Sequence, residues 1–427
     1  MKKVFKRILL KKLKLIILIT FFSLGINVKQ LVAQPFVYVT NYFGNSVSVI
    51  NTNTNTVTAT ISLQSQPLGL AITPDNEFVY VAIEQNSSVS VINTSTNTIV
   101  ADILVGTNPF DVAITPDGNY AYVTNSLSNT VSVINTSTNL VTDNINVGNG
   151  PRGITITPNG QFAYVANYDG TTLSVINTTT NVVSETIDVG QYPVHIEITP
   201  DGLFAYVSAL GNGRVLVINT TTNQVIETIS VLASPRQLAV TPDGQFVYLP
   251  TNLNAKLQVI STATNTITTT INVGGFPEGI DITSDGKYAY VANYGDNTLS
   301  VIDITTNTVT STVTGLSYPW GVAITSGATM DIYLNDEDLP TRFELYRNYP
   351  NPFNPSTKIK YSVPQSSNVV IKVFDILGNE IEELVKEEKQ MGTYEITWYA
   401  ENLPSGVYFY QLRAGSFVET KKMILMK

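Results

Sequence analysis

The chain has 427 residues, with 24 Lys and Arg against 33 Asp and Glu, one histidine and no cysteine. The lack of cysteine excludes disulfides, thiolate nucleophiles and thiolate-bound metals, and a single histidine excludes sites built on histidine clusters. The net charge of −9 disfavours contact with a phosphate backbone, so we expect no nucleic acid partner.

The N-terminal 35 residues are basic and carry no acidic side chain. Most of their Lys and Arg residues precede an apolar run over residues 15–28, which is shorter than the roughly 20 residues that a membrane-spanning helix needs. Small and polar residues around Ala33 offer a cleavage point. We interpret residues 1–34 as a signal peptide for Sec export, with no transmembrane segment left in the mature chain. A retained membrane anchor is the alternative.

A Thr-Pro-Asp turn, or a close variant of it, recurs from Thr73 to Thr283 at a constant interval of 42 residues. Each interval contains four short runs rich in Val, Ile, Tyr and Phe, such as residues 78–82 and 88–92. Four strands in about 40 residues is the period of a β-propeller blade. The sequence therefore predicts an all-β fold in which residues 35–325 form a seven-bladed β-propeller.

Two residue types hold fixed places in every repeat. A proline opens the last strand of each unit, where a missing N–H is tolerated, and an asparagine closes the hairpin between the second and third strands, where a left-handed backbone is needed. The asparagines are Asn55, Asn97, Asn139, Asn181, Asn223, Asn265 and Asn307. The first blade lacks its innermost strand, which residues 320–324 can supply from the far end. We therefore predict that the two ends of the repeat array pair and close the ring.

The stretches Tyr38–Asn41 and Tyr122–Asn125 both read Tyr-Val-Thr-Asn. With the Thr-Pro-Asp-Gly turns and the Ser-Val-Ile-Asn-Thr runs, they resemble the YVTN β-propeller repeat family over residues 36–324. The resemblance implies a seven-bladed propeller similar to those of surface-layer and secreted proteins. More distant seven-bladed relatives include lactonases and quinone-dependent dehydrogenases.

The repeat ends at Thr325, and residues 326–344 read as an acidic linker. Short alternating runs in residues 345–427 predict a small immunoglobulin-like β-sandwich. The predicted strands are residues 358–363, 369–374, 394–399, 407–412 and 417–425.

The ends of this second domain carry motifs that resemble the type A C-terminal sorting domain of the type IX secretion system. The motif residues are Asn348, Tyr349, Pro350, Asn351, Pro352, Phe353, Lys421 and Lys422. The resemblance implies that an outer-membrane translocon of this system is a partner and that the protein ends in the medium or on the outer-membrane surface. An ordinary adhesive module is the alternative interpretation.

One end of the predicted propeller, which we name the top face, carries the loops before each proline-led strand and the loops between the first and second strands. These loops differ from unit to unit, whereas the turns at the opposite end are nearly the same in all units. A fixed scaffold with variable loops predicts a binding site for a glycan or a protein at the top face. The candidate residues are Phe110, Asp111, Arg152, His195, Arg236, Glu278 and Trp320.

An enzymatic site is also conceivable from the sequence. His195 and Glu197 lie two residues apart on one strand and so share a face, with Asp111, Glu278 and Asp281 as further acidic groups for a central pocket. Convergent metal ligands are not evident, so neither a metal nor a cofactor is predicted. The favoured prediction is an exported, non-enzymatic binding or structural surface protein. The alternative is a secreted propeller enzyme, similar to lactonases or polysaccharide lyases, with its site at the channel mouth.

Overall fold

The computed structural model describes residues 35–211, 213–326, 342–389, 392–401 and 403–426. The chain divides into two compact units, one within residues 1–330 and the other within residues 331–427. The predicted signal peptide and most of the predicted linker lie outside the described residues.

The first unit contains seven four-stranded antiparallel sheets, which confirms the predicted seven-bladed propeller. Strands of blades 1 to 4 are β1 (Phe36–Asn41), β2 (Ser46–Asn51), β3 (Thr56–Ser62), β4 (Pro67–Ile72), β5 (Phe78–Ile83), β6 (Ser88–Asn93), β7 (Thr98–Leu104), β8 (Pro109–Ile114), β9 (Tyr120–Asn125), β10 (Thr130–Asn135), β11 (Leu140–Asn146), β12 (Pro151–Ile156), β13 (Phe162–Asn167), β14 (Thr172–Asn177) and β15 (Val182–Asp188). Later strands are β16 (Pro193–Ile198), β17 (Phe204–Ala209), β18 (Arg214–Asn219), β19 (Gln224–Ser230), β20 (Ala239–Val240), β21 (Phe246–Thr251), β22 (Lys256–Ser261), β23 (Thr266–Asn272), β24 (Pro277–Ile282), β25 (Tyr288–Asn293), β26 (Thr298–Asp303), β27 (Thr308–Val313) and β28 (Pro319–Ile324). A 3₁₀ turn, Asn252–Asn254, follows β21.

Blade 1 combines the two ends of the propeller, with the strand order β28-β1-β2-β3. Each later blade takes four consecutive strands, from β4–β7 in blade 2 to β24–β27 in blade 7. In blade 1, Val37 pairs with Ile324 and Tyr38 with Ala323. Because this pairing gives both terminal strands a partner, it removes the open edges of the array and confirms the predicted closure.

A ring of hydrogen bonds, which we name the Tyr–Asn belt, joins every blade to the next. In each blade a buried tyrosine on the second strand from the channel donates its hydroxyl to the hairpin asparagine of the following blade. The pairs are Tyr38–Asn97, Tyr80–Asn139, Tyr122–Asn181, Tyr164–Asn223, Tyr206–Asn265, Tyr248–Asn307 and Tyr290–Asn55. The asparagines have φ angles of 52–57°, the left-handed conformation that their turns were predicted to need.

The second unit contains two antiparallel sheets, with strand orders β29-β30-β33 and β32-β31-β34-β35. The strands are β29 (Glu344–Leu345), β30 (Ser356–Val363), β31 (Ser367–Phe374), β32 (Glu380–Lys389), β33 (Gly392–Tyr399), β34 (Gly406–Ala414) and β35 (Phe417–Leu425). Buried side chains of both sheets, among them Ile371, Trp398 and Tyr410, form one core, as expected for the predicted sandwich.

Two strands of the second unit were not predicted. The sequence of β32 is rich in Glu and Lys, so it lacks the apolar alternation by which strands are recognised. It forms because β31 offers an edge for pairing and because Lys372 of β31 lies 2.7 Å from Glu380 of β32. The other, β29, is only two residues long.

Replacing Tyr164 by Phe removes one hydroxyl of the Tyr–Asn belt, 2.6 Å from Asn223 Oδ1. We expect the free energy of unfolding of the propeller to fall by about 1 kcal/mol, the net value of one such hydrogen bond. Calorimetry of the full chain measures this as a lower midpoint of the propeller transition. Tyr120→Phe removes the hydroxyl of an exposed ring and is the matched control. Equal midpoints for Y164F and the native protein would contradict a stabilising belt.

Candidate functional site

The inner strands of the propeller shape the mouth of its channel through a local irregularity. In six blades the pairing register of the inner strand shifts just after the proline, as between Pro109 and Val112 or between Pro151 and Ile154. Such β-bulges redirect side chains and are frequent beside active sites. Here they bring both residues that follow the proline, such as Phe110 and Asp111, to the same cavity.

All seven predicted site residues line one cavity at this mouth. The space at this mouth, including its opening to solvent, is about 450 Å³. Three further lining residues, Gly69, Val194 and Gln237, were not among the predicted ones. The repeat register made the proximity predictable because all ten residues occupy the two positions after a strand-opening proline.

Glycines in neighbouring blades create the space for the polar side chains. A Cβ atom on Gly69 would lie 2.3 Å from Asp111 Oδ1, and one on Gly153 would lie 2.6 Å from the Cα of His195. Both distances are shorter than any contact that a real Cβ makes. Small residues in blades 2 and 4 are therefore needed for Asp111 and His195 to pack on the inner strands of blades 3 and 5.

Asp111 and His195 face each other across the channel mouth. Asp111 Oδ1 accepts the N–H of Val112 at 2.9 Å, and its Oδ2 accepts the N–H of Ile154 and lies 3.8 Å from His195 Nε2. Leu238 N donates to His195 Nδ1 at 3.5 Å, which leaves the proton of a neutral imidazole on Nε2.

Burial sets the protonation of this pair. It raises the pKa of Asp111 to about 7, although the two backbone N–H donors act in the opposite direction. It lowers the pKa of His195 to about 4. At neutral pH the imidazole is therefore uncharged and presents an N–H group to a carboxyl group that is half ionised.

A second polar group is formed by Arg236, Glu278 and Asn252. Glu278 Oε1 accepts a hydrogen bond from Asn252 Nδ2 at 2.5 Å, and Oε2 lies 3.3 Å from Arg236 Nε. The Nε···Oε2 contact lacks hydrogen-bond geometry, since no described residue serves as a hydrogen-bond partner of Nε. Burial raises the pKa of Glu278 to about 7, and the two nearby guanidinium groups and Asn252 limit the rise. Asn252 is a site residue that sequence analysis missed, because it lies in a loop outside the proline-led strands.

Arg152 adds a second guanidinium group to the cavity. Its Cζ lies 3.3 Å from the ring centroid of Tyr168 and 5.0 Å from that of Phe110. Contact with both rings holds the guanidinium group beside the cavity that Arg152 lines. The contact of Tyr168 with Arg152 was not predicted.

Glu197 and Asp281 belong to a deeper level of the channel and do not line the cavity. Asp281 accepts the N–H groups of Ile282 at 2.7 Å and Ile324 at 2.8 Å, so it ties blade 7 to blade 1. Burial, with repulsion from Asp281 and Asp111, raises the pKa of Glu197 to about 8. In the part of the chain that the structure describes, no three His, Asp or Glu side chains are arranged to hold a metal ion.

The sorting-motif residues pack mainly on the last strand of the second unit. Asn351 Oδ1 accepts the N–H of Ile424 at 3.0 Å, Phe353 is buried and bridges to Leu425, and buried Asn348 donates its N–H to Tyr410 Oη. Tyr349 and Lys422 are exposed, and Lys421 pairs with Glu419. Pro350 and Pro352 follow cis peptide bonds.

A family model described as "Lactonase, 7-bladed beta-propeller" matches residues 96–186 and 188–330, more than half of the chain. The chain belongs to this seven-bladed lactonase family. A second model, the secretion system C-terminal sorting domain, matches residues 347–426. No curated protein matches the chain.

Solved structures similar to this lactonase-family chain are also propellers. A provisionally assigned 6-phosphogluconolactonase from Bacteroides fragilis is 18% identical, with a TM-score of 0.59 over 68% of this chain and 98% of that one. A Desulfotomaculum acetoxidans protein of unknown function is 21% identical, with a TM-score of 0.62 over 68% and 99%. Hydrazine synthase from Kuenenia stuttgartiensis is 25% identical, with a TM-score of 0.52 over 56% and 76%. The first two likenesses show the fold alone.

These findings correct one expectation and confirm another. The prediction of a non-enzymatic protein is wrong, since the chain belongs to a seven-bladed lactonase family. The predicted sorting domain is confirmed and indicates handling by the type IX machinery and export to the cell surface or extracellular space. Across the described ranges, no helix is both long and apolar enough to cross a membrane.

The raised pKa of Glu197 predicts a pH-dependent effect of Glu197→Gln. Below the unfolded-state pKa of about 4.5, Glu197 is protonated in both states and the substitution changes little. Between pH 4.5 and pH 8, Glu197 keeps its proton in the folded state and loses it in the unfolded state. The stability of the native protein therefore falls as the pH rises, whereas the glutamine of the variant cannot titrate and the variant does not lose stability in this way. We expect similar melting temperatures at pH 4.5 and a variant more stable by on the order of 10 °C at pH 8.

Glu227→Gln, at an exposed position of the same blade, is the control and should show no such trend. A melting temperature of E197Q that stays equal to the native value from pH 4.5 to 8 would contradict the raised pKa.

Proposed function

We propose that the protein is an exported hydrolase that opens the ester ring of a sugar lactone at the channel mouth. The observation that carries the proposal is the convergence of Glu278, Arg236, Arg152 and the Asp111–His195 pair on one cavity of a lactonase-family propeller. Two guanidinium groups favour an oxyanion, and two carboxyl groups with pKa values near 7 suit proton transfer at neutral pH.

Glu278 is assigned as the general base. Its Oε2 atom faces the cavity beside Arg236, whereas both oxygens of Asp111 are occupied by backbone N–H groups. Ionised Glu278 takes one proton from a water molecule while the water oxygen bonds to the lactone carbonyl carbon. The carbonyl oxygen becomes an oxyanion, which Arg152 and Arg236 stabilise by charge and hydrogen bonding.

Collapse of this tetrahedral intermediate breaks the bond between the carbonyl carbon and the ring oxygen. The ring oxygen leaves as an alkoxide and takes the proton from Glu278, which restores the base and yields a hydroxy acid. His195 donates from Nε2 to a hydroxyl or ring oxygen of the substrate, and Asp111 positions the imidazole. The predicted recognition of a glycan by the top-face loops becomes, in this proposal, recognition of the substrate.

Export gives this activity its location. The sorting domain supports delivery of the propeller by the type IX machinery, so the lactones are those present at the cell surface or in the medium. We propose that the segment Asn348–Phe353, which includes Pro350 and Pro352, forms the sorting motif together with Lys421 and Lys422.

Glu278→Gln retains the size of the side chain and removes the base. We expect kcat for hydrolysis of glucono-1,5-lactone by the full chain to fall at least about 100-fold, the contribution typical of a general base. A pH-indicator assay, corrected for spontaneous hydrolysis, measures the rate. Glu227→Gln is the control and should retain the native rate. An E278Q variant that folds and keeps full activity would show that Glu278 is not the general base.

A further inference from the structure

A cluster of aromatic side chains extends from the cavity onto the top surface of blades 1 and 7. We name it the aromatic shelf: Tyr42, Phe43, Tyr294, Tyr318 and Trp320. Trp320 lines the cavity, and its ring lies 5.8 Å from the rings of both Tyr42 and Tyr294. Phe43 lies 4.8 Å from Tyr42 and 5.0 Å from Tyr318. The shelf is therefore continuous with the candidate active site.

The outer part of the shelf is open to solvent. Phe43 is 54% exposed and Tyr318 is 39% exposed, so their rings stabilise the fold less than buried rings would. The contacts between shelf rings are mostly edge-to-face, with interplanar angles of 70° for Tyr42–Phe43 and 88° for Phe43–Tyr318. Such packing fixes the rings relative to one another and leaves surface for a further planar partner.

The backbone of Tyr318 is in a conformation that a tyrosine disfavours. Its φ angle is 53°, in the left-handed region, which costs a bulky residue free energy. At the equivalent positions of blades 3 and 4, Asn108 and Gly150 adopt the same conformation at lower cost. Tyr192 and Phe276 share it as well, and Tyr192 packs on Tyr168, the ring that holds Arg152. The repeat sets this backbone conformation, so an exposed ring at a position that Asn or Gly occupies at lower cost points to a role in ligand contact.

We propose that the aromatic shelf binds a sugar ring next to the lactone, so that the substrate is the lactone form of an oligosaccharide. The proposal rests on the proposed function, which places the lactone ring in the cavity. The apolar faces of a pyranose ring stack on aromatic rings, and Trp320 connects the cavity to the shelf. A second sugar attached to the lactone therefore extends over Trp320 towards Tyr318 and Phe43.

Polar groups at the margin of the shelf suit the hydroxyl groups of a sugar. Tyr42 Oη donates to Glu84 Oε2 at 2.6 Å, and Asn108 Nδ2 donates to Glu84 Oε1 at 3.0 Å. Asn297 Oδ1 accepts the N–H of Tyr318 at 2.6 Å and thereby holds its turn. Aromatic faces bordered by hydroxyl, carboxylate and amide groups are complementary to the apolar faces and polar edges of a saccharide. An entirely apolar partner would match this surface less well.

The test compares glucono-1,5-lactone with cellobiono-1,5-lactone, which carries one additional glucose, in the full chain. The shelf variant is Phe43→Ser with Tyr318→Asn, where asparagine copies the residue of blade 3 and fits the left-handed backbone. Leu127→Ser is the matched control, because Leu127 is the blade 3 equivalent of Phe43, 84 residues later in the repeat register, and is 70% exposed. Calorimetry verifies that all variants are folded.

We expect the native chain to have a kcat/KM roughly tenfold higher for the cellobiose lactone, as one stacked ring would give. The shelf variant should lose this preference while keeping its rate on gluconolactone, and L127S should behave as the native chain. Equal kcat/KM values for the two lactones, or a preference unchanged in the shelf variant, would overturn the proposal that the aromatic shelf binds a sugar ring. Neither result would contradict the proposed hydrolase activity.

Direct binding of cellobionic acid, measured by calorimetric titration, separates the two proposals if neither lactone is hydrolysed. Binding that weakens in the shelf variant, but not in L127S, would support the shelf while refuting the hydrolase. An absence of both turnover and binding would overturn both proposals.

Discussion

The structure depends on one repeated interaction, the hydrogen bond from a buried tyrosine to the hairpin asparagine of the next blade. Seven copies connect the blades in sequence, and the bond from Tyr290 to Asn55 joins the last blade to the first. Together with the pairing of β28 and β1, this belt makes the ring closed and uniform at the face opposite the cavity. The channel mouth can then differ from blade to blade without a change in the blades themselves.

In the candidate site, burial and nearby polar groups act in opposite directions on the ionisation of the carboxyl groups. Burial raises the pKa values of Asp111 and Glu278 to about 7. Backbone N–H donors oppose this rise at Asp111, and the two arginines and Asn252 oppose it at Glu278. The same burial keeps His195 neutral. Carboxyl groups that gain or lose a proton at neutral pH therefore lie beside the positive charges of Arg152 and Arg236. Such an arrangement suits ester hydrolysis, which needs a proton acceptor next to groups that stabilise an oxyanion. The aromatic shelf adjoins this polar group through Trp320.

Much of this architecture was predictable because the repeat has a constant period of 42 residues. The period defines the blades, the closure and the common location of all seven site residues, since equivalent positions of a ring must meet at its axis. The contacts within the site were not predictable, because Asp111–His195 and Arg236–Glu278 join different blades and depend on side-chain direction. Nor can a sequence show burial, so the raised carboxyl pKa values were not predicted. Without these values, the sequence favoured a binding or structural protein over an enzyme.

The central claim is that buried Glu278 acts as the base of a lactone hydrolase at the channel mouth. Its most direct test is the pH dependence of kcat/KM for glucono-1,5-lactone between pH 5 and 9, measured with the full chain and corrected for spontaneous hydrolysis. The base must be ionised, so we expect kcat/KM to rise through an apparent pKa of about 7 and to reach a plateau above it. A profile that is flat or falls across this range, or a rate no higher than that in buffer, would contradict it.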